Sequence, residues 1–273
     1  MRDASPNQET NRALVRVHDL HKSFGGKQIL KGLSVEFAPH RTTVVLGPSG
    51  CGKSVMLKHL VGLLRPDSGE VFFDDHRIDT MPETRMTPIR RQFGFLFQMG
   101  ALFDSLNVRM NIEFPLTESG ITDPDERERR VREVLAMVGL ADTEEMMPAD
   151  LSGGQRKRIA LARSIVLRPR VILYDEPTTG LDPIRSDVIN ELILKLQNEL
   201  KATSIVVTHD LTSAFKVADH MLLMLDGKIV MQGPPSAFKN PENPEVARFM
   251  QGRASEEELA AIRNTTGKIG VCS

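Results

Sequence analysis

The sequence predicts an α/β fold with a phosphate-binding edge, and three observations carry that expectation. Gly47-Pro48-Ser49-Gly50-Cys51-Gly52-Lys53-Ser54 lies between the apolar run Thr43-Val44-Val45-Leu46 and an amphipathic stretch opening Val55-Met56-Leu57. That is the strand, glycine-rich loop and helix that a phosphate loop requires. Three more apolar runs, Gln92 to Phe97, Val171 to Tyr174 and Ser204 to Thr208, each deliver polar side chains where they end: Gln98, Asp175-Glu176 and His209. In an open α/β sheet, strand carboxyl ends share one edge, where ligands bind. Finally, segments of helical period separate these runs.

At 273 residues the chain is long enough for a full core and an enzyme. Lys+Arg number 35 and Asp+Glu 36, so no global basic field argues for nucleic acid or an anionic membrane surface. The two cysteines, Cys51 in the loop and Cys272 at the tail, do not form a disulfide framework and point to a reducing cytosol. No run approaches the roughly 18 apolar residues of a membrane span, and Met1 to Arg12 reads as a polar tail without the apolar core of a signal peptide.

From Ala13 to Pro39, short β-branched runs alternate with Gly25-Gly26 and Gly32, predicting antiparallel strands joined by tight turns. Phe24 stands just before the first turn. Its ring could stack on a base, or be a buried strand residue. In the glycine-rich loop, Gly47, Pro48, Ser49, Gly50, Cys51 and Gly52 supply a backbone concavity whose N–H groups suit a di- or triphosphate. Lys53 would reach the β- and γ-phosphates, and the Ser54 hydroxyl would ligate the Mg²⁺ between them. Met56, Leu60, Leu63 and Leu64 continue a helix that Arg65 to Gly69 stops, and Glu70 to Asp74 returns as a strand. Gln98, at the end of the next strand, either ligates Mg²⁺ or orients a water, or is a surface glutamine.

Residues 99 to 165 read as a helical block interrupting the α/β pattern. Met99 to Phe103 is apolar, and Leu102 and Phe103 would each gain roughly 1.5 to 3 kcal/mol from burial, so the core or a partner must cover them. Asp123-Pro124 to Gly139 predicts a capped helix with Val131, Val134, Leu135 and Val138 inward and its charges in solvent. Leu151-Ser152-Gly153-Gly154-Gln155 opens a helix over Arg156 to Leu167, making a second phosphate-facing helix tip on the same chain. The run Arg156-Lys157-Arg158 reads as a polar helix face rather than a nucleic-acid patch.

Asp175 and Glu176 are adjacent carboxylates that would repel unless one binds a cation. Asp175 facing Mg²⁺ and Glu176 facing the attacking water gives them separate roles. Pro177 to Pro183 then turns the chain into a helix over Ile184 to Leu200, with Val188, Leu192 and Leu196 on one face. His209 is placed against the γ-phosphate, and Met221 to Leu225 with Lys228 to Met231 closes a hairpin at Asp226-Gly227. Beyond Gly233 the chain is polar and proline-punctuated. Ser255-Glu256-Glu257-Glu258 is a capping box for a short helix, expected to clasp a second copy.

With Gly47 to Ser54, Gln98, Leu151 to Gln155, Val171 to Glu176, Leu181-Asp182 and His209 in this order, residues 13 to 240 resemble the nucleotide-binding cassette of ABC transporters. The resemblance implies a P-loop NTPase with a RecA-like mixed-sheet core, an antiparallel β-subdomain and an inserted helical subdomain over about 99 to 165. Residues 241 to 273 then form a C-terminal extension. It implies an ATP sandwich with Mg²⁺: Lys53, Ser54, Gln98 and Asp175 of one copy face Ser152, Gly153, Gly154 and Gln155 of another, with Glu176 and His209 at the γ-phosphate. Phe24 falls at the adenine-stacking position, where tyrosine is commoner, and Asp182 in the loop that communicates across the dimer.

Leu96 to Val108, with Asn111 and Phe114-Pro115-Leu116, is similar to the ATPase subunits of Mla-type lipid transporters. That likeness implies an ATPase peripheral on the cytoplasmic face of the inner membrane. It would energise phospholipid movement between membranes with an integral permease, an MCE-domain lipid-binding protein and, in some systems, a small STAS-domain subunit. Met99 to Phe103 would line the groove for the permease's coupling helix. A small-solute importer motor of the same build is the alternative. A soluble cassette of translation or DNA repair usually has tandem cassettes or a long coiled coil, and this chain has one phosphate loop and no heptad run.

Overall fold

Alternation of buried and exposed positions from Val15 to Phe37 produces a hairpin with one wetted face: β1 (Val15–Phe24) and β2 (Lys27–Phe37) turn at Gly25-Gly26. The computed structural model describes residues 13–254 and 259–260, so the expected N-terminal tail and nearly all of the C-terminal clasp fall outside the described residues. Gly32 does not turn the chain. It sits inside β2 at φ +79°, beside irregular β1–β2 pairing, so the two runs expected on either side of it are one bulged strand.

β3 (Thr42–Leu46) leads through the glycine-rich loop into α1 (Lys53–Leu60). Gly62, at φ +66°, follows the end of this helix earlier than expected, leaving Leu63 exposed. β4 (Ser68–Phe73) and β5 (His76–Arg77) complete an antiparallel sheet of order β2-β1-β4-β5. A short α2 (Glu83–Arg90), which carries Pro88 and gives no periodic signal, precedes β6 (Phe93–Leu96).

The middle block is not helical throughout. Residues 99–107 form an irregular loop before α3 (Val108–Glu118), α4 (Pro124–Met137) and α5 (Gly153–Ile165). The buried amide of Asn111 holds that loop: its oxygen accepts from Phe103 N at 2.8 Å, and its nitrogen donates to the Phe103, Leu106 and Asn107 carbonyls. α4 behaves as expected, capped by Asp123, with Val131, Val134 and Leu135 buried and Arg–Glu pairs on its outer face.

β7 (Val171–Asp175), α6 (Pro183–Leu200), β8 (Thr203–Thr208), α7 (Leu211–Val217), β9 (His220–Leu225), β10 (Lys228–Gly233) and α8 (Pro244–Met250) follow. On α6 the buried stripe is Ile189, Leu192, Ile193 and Leu196, one position round from the expected face, and Val188 stays exposed. The second sheet runs β10-β9-β3-β8-β7-β6, parallel from β9 to β6, with β10 antiparallel at its edge.

Strand period two divides the core between the faces of this sheet. Val44, Leu46, Ile172, Tyr174 and Val206 pack among the helices with Ile112, Leu135 and Ile159. Val45, Leu173, Ile205 and Val207 point the other way, onto α1 and the antiparallel sheet through Met56, Leu57, Leu20 and Leu33. Burial on both faces is why these strands read as continuous apolar runs.

Candidate functional site

The parallel order β3-β8-β7-β6 sets four carboxyl ends side by side. Leu46 pairs with Thr208, Asp175 with Val207, and Leu96 with Tyr174. The glycine-rich loop, His209, Asp175-Glu176 and Gln98 therefore leave the sheet along one edge, as the strand endings predict.

Close packing dictates the first glycine of the loop. A Cβ on Gly47 would stand 2.3 Å from the Met224 carbonyl oxygen of β9 and 2.7 Å from Cys51 Sγ. Gly52, at φ +109°, turns the chain into α1 in a conformation that an L side chain rarely adopts. Burial pushes the Cys51 thiol pKa up, so this cysteine is not a ready thiolate.

Lys53 opens α1 with its ammonium almost fully buried. It donates to the carbonyls of Gly47 at 2.7 Å and Pro48 at 3.1 Å, and lies 3.3 Å from Glu176 Oε1. Ser54 Oγ donates to Asp175 Oδ1 at 2.7 Å. Glu176 adopts φ +50°, an uncommon value for a non-glycine residue and a form of strain that gathers at working sites. Its Oε2 contacts His209 Nδ1 at 2.9 Å and accepts from Thr179 Oγ1 at 3.2 Å. The two adjacent carboxylates thus part company, Asp175 toward the Ser54 hydroxyl and Glu176 toward Lys53 and His209.

Burial, the larger effect, with the neighbouring Glu176 charge adding to it, raises the Asp175 pKa above its ordinary value; the Ser54 hydrogen bond opposes this. The folded chain therefore holds a proton on Asp175 between the unfolded and folded pKa values, where the unfolded chain has lost it. Through that window the group's contribution to stability falls as pH rises. Asp175→Asn is expected to raise the melting temperature of the nucleotide-free chain by an amount that grows as pH climbs through the window; a constant or reversed gap in a pH series of melts would contradict the assignment.

A cleft of about 470 Å³ joins these groups, lined by Phe24, Ser49, Lys53, Ser54, Gln98, Glu176 and His209 among others. Phe24 is 45 % exposed and lines the cleft, so it is not a buried strand residue. Gln98 is likewise exposed and turned to the cleft rather than elsewhere on the surface. Ser54 and Gln98 line this cleft and Asp175 stands 2.7 Å from the Ser54 hydroxyl, so the oxygens on offer include a single metal-facing carboxylate. Such a set fits a small hard cation that keeps phosphate and water oxygens.

The second helix tip lies apart. Ser152 caps α5 through a reciprocal box, its Oγ accepting from Gln155 N at 3.3 Å while Gln155 Oε1 accepts from Ser152 N at 2.9 Å. This leaves the Ser152 O–H free to donate outward and commits the Gln155 amide to the cap. Asp182 caps α6 by accepting from Arg185 N. Neither Ser152 to Gln155 nor Asp182 lines the cleft that holds Lys53.

A family model described as ABC transporter matches residues 30–179, more than half of the chain. The chain belongs to the ABC transporter family. The cassette is 41% identical over 239 residues to the probable ribonucleotide transport ATP-binding protein Mkl of Mycobacterium tuberculosis, covering 88% of this chain and 67% of that one. It is 37% identical over 241 residues to the intermembrane phospholipid transport system ATP-binding protein MlaF of Escherichia coli K12, covering 88% and 90%. A solved dimeric ATP-binding cassette in a post-hydrolysis state with ADP and Pi superposes with a TM-score of 0.75 at 32% identity, covering 81% of this chain and 98% of that one. The cassette is accordingly an ATPase that binds ATP.

Two features of the cassette are not visible in the sequence. Thr179 reads only as part of a turn, yet its hydroxyl holds the Glu176 carboxylate. The run Arg156-Lys157-Arg158 is a polar face only in part: Arg156 is exposed and Arg158 half-buried, but Lys157 turns inward. Lys157 is buried and donates to the carbonyls of Pro177 at 2.8 Å and Thr179 at 2.6 Å, while Arg156 and Arg158 donate to Leu151 and to Val138 and Gly139.

Proposed function

We propose that this ATPase works as a pair of copies closing on two ATP molecules, and that it drives a phospholipid transporter from the cytoplasmic face of the inner membrane. The observation that carries the paired reading is the division of nucleotide-contacting groups. Lys53, Ser54, Glu176 and His209 converge on one cleft of the chain, while the Ser152 tip of α5 stands outside it. A second copy would bring its own tip over the triphosphate, adding the positive end of a helix and the Ser152 hydroxyl. The dimeric state of the solved relative supports this.

In this arrangement Lys53 exchanges its loop carbonyls and Glu176 for phosphate oxygens. Glu176, held by Thr179 and His209, accepts the proton of the attacking water as that oxygen bonds to the γ-phosphorus and the bond to the β,γ-bridging oxygen breaks, releasing ADP and phosphate. His209 contacts a γ-phosphate oxygen. Ser54, Asp175 and Gln98 would hold Mg²⁺, which supplies charge neutralisation between the β- and γ-phosphates.

The permease would dock on the segment leaving Gln98. Leu102 is partly covered by the helical core, but Met99 is 90 % exposed, and Phe103 packs its half-open ring on exposed Phe114 at 4.9 Å. Arg163 of α5 braces the segment by donating to the Gly100 and Ala101 carbonyls. An apolar helix of an integral-membrane partner fits such a patch. The double change Met99→Asp, Phe103→Asp is expected to leave the basal ATPase of the purified chain near wild type while abolishing copurification with a membrane permease. Retained copurification would place the docking surface elsewhere.

The cargo rests on MlaF, whose name specifies intermembrane phospholipid transport. An MCE-domain lipid-binding protein and a small STAS-domain subunit are the further partners this implies. The name of Mkl specifies ribonucleotide transport and keeps a small-solute motor as the second reading, which MlaF does not support. Isolating the complex from native membranes and identifying bound lipid by mass spectrometry decides between them. Phospholipid with an MCE-domain protein is expected, and a solute receptor without lipid would favour the importer. Among the described residues no helix is long and apolar enough to cross a membrane.

A further inference from the structure

Lys157 emerges from the second turn of α5, three residues beyond Gly154 of the Ser152 tip, and its side chain is buried. Its Nζ sits among three main-chain carbonyl oxygens of one turn: Thr179 at 2.6 Å, Pro177 at 2.8 Å and Glu176 at 3.5 Å. No carboxylate forms an ion pair with it among the described residues. Burial drives its pKa down, so the site holds the ammonium at a cost that the carbonyls offset. Three carbonyls within four residues thus converge on one ammonium, and Glu176, the first of them, has a positive φ.

Thr179 is the hinge of the arrangement. Its carbonyl accepts from Lys157, its hydroxyl donates to Glu176 Oε2 at 3.2 Å, and its N–H donates to the Glu176 carbonyl. We propose that Lys157 is a positioning residue for hydrolysis: by drawing the 176–179 turn onto α5 it fixes the strained backbone of Glu176 and aims its carboxylate. This deepens the proposed function and rests on the reading of Glu176 as the base. The same clasp makes the α5 tip and the chain's own base one rigid piece. A tip displaced by nucleotide in one site of a pair therefore moves the base that serves the other site.

Misplacement of a catalytic group by about 1 Å costs on the order of 10²-fold. Lys157→Met keeps an unbranched apolar side chain one atom shorter and removes the ammonium. In the full chain it is expected to lower kcat by roughly ten- to hundredfold, with KM for ATP and the affinity for a fluorescent ATP analogue within about twofold of wild type. Lys157→Arg, which can still donate to the carbonyls, is expected to recover part of kcat. The decisive readout is a double-mutant cycle with Glu176→Gln, followed with radiolabelled ATP. If Lys157 acts through Glu176, adding Lys157→Met to Glu176→Gln changes the residual turnover hardly at all; a further ten- to hundredfold loss, or wild-type kcat in Lys157→Met alone, overturns the proposal. The Glu176 single variant reports separately: near-normal turnover there would fell the reading of the base itself.

Discussion

Glu176→Gln is expected to bind ATP as tightly as the unaltered chain and to lose roughly 10²- to 10⁴-fold in turnover. The substitution keeps the shape and the contacts that Thr179 and His209 make to this side chain, but an amide cannot take a proton from water. Because Glu176 is assigned to the attacking water rather than to the base or ribose, little binding affinity is expected to depend on its charge. Removing the carboxylate also frees Lys53 from its 3.3 Å partner, which favours phosphate binding if anything. Single-turnover hydrolysis beside an ATP-binding titration checks both halves. Turnover within a few-fold of wild type would move the base elsewhere, and weakened binding would show Glu176 to be part of the cradle instead.

Lys53→Ala has the opposite signature. Its ammonium is poised by two loop carbonyls at the point where α1 begins, so the charge is held in place before ligand arrives. A charge-assisted hydrogen bond contributes about 1.5 to 3 kcal/mol, which converts to roughly 10- to 150-fold in the ATP dissociation constant. The loss should be smaller for ADP, which lacks the γ-phosphate. Equal affinity for both nucleotides, unchanged from wild type, would detach the loop from phosphate recognition.

Much of this site is legible in the amino-acid sequence, because its signals are local. Gly47 to Ser54 fixes its own conformation, and apolar runs ending in Gln98, Glu176 and His209 mark strand ends whatever their order in the sheet. That those ends lie side by side, β3-β8-β7-β6, follows from open-sheet architecture, and the register confirms it. The features that the sequence hides are non-local or weak. α2 contains a proline and a single fully buried residue, Met86, so it offers no period to read. Gly32 reads as a turn because a glycine at positive φ serves some bulges as well as some tight turns, and sequence alone does not distinguish them. Val188 reads as a core residue on α6, yet Ile189 is the one buried, a difference of one helical position. Lys157 is hidden within a basic run. Its burial depends on the turn 19 to 22 residues downstream folding back onto α5, a contact no helical pattern contains.

In the proposed arrangement each chain carries two incomplete surfaces for one triphosphate, which only a second copy would unite. Static light scattering of Glu176→Gln with saturating ATP and Mg²⁺ tests that directly, alone and combined with Ser152→Glu, which sets a negative charge where the helix tip would meet phosphate. The expected result is twice the chain's mass for the first protein and a single chain's mass for the second. A single chain in both cases, or a dimer indifferent to the charge at Ser152, would contradict it.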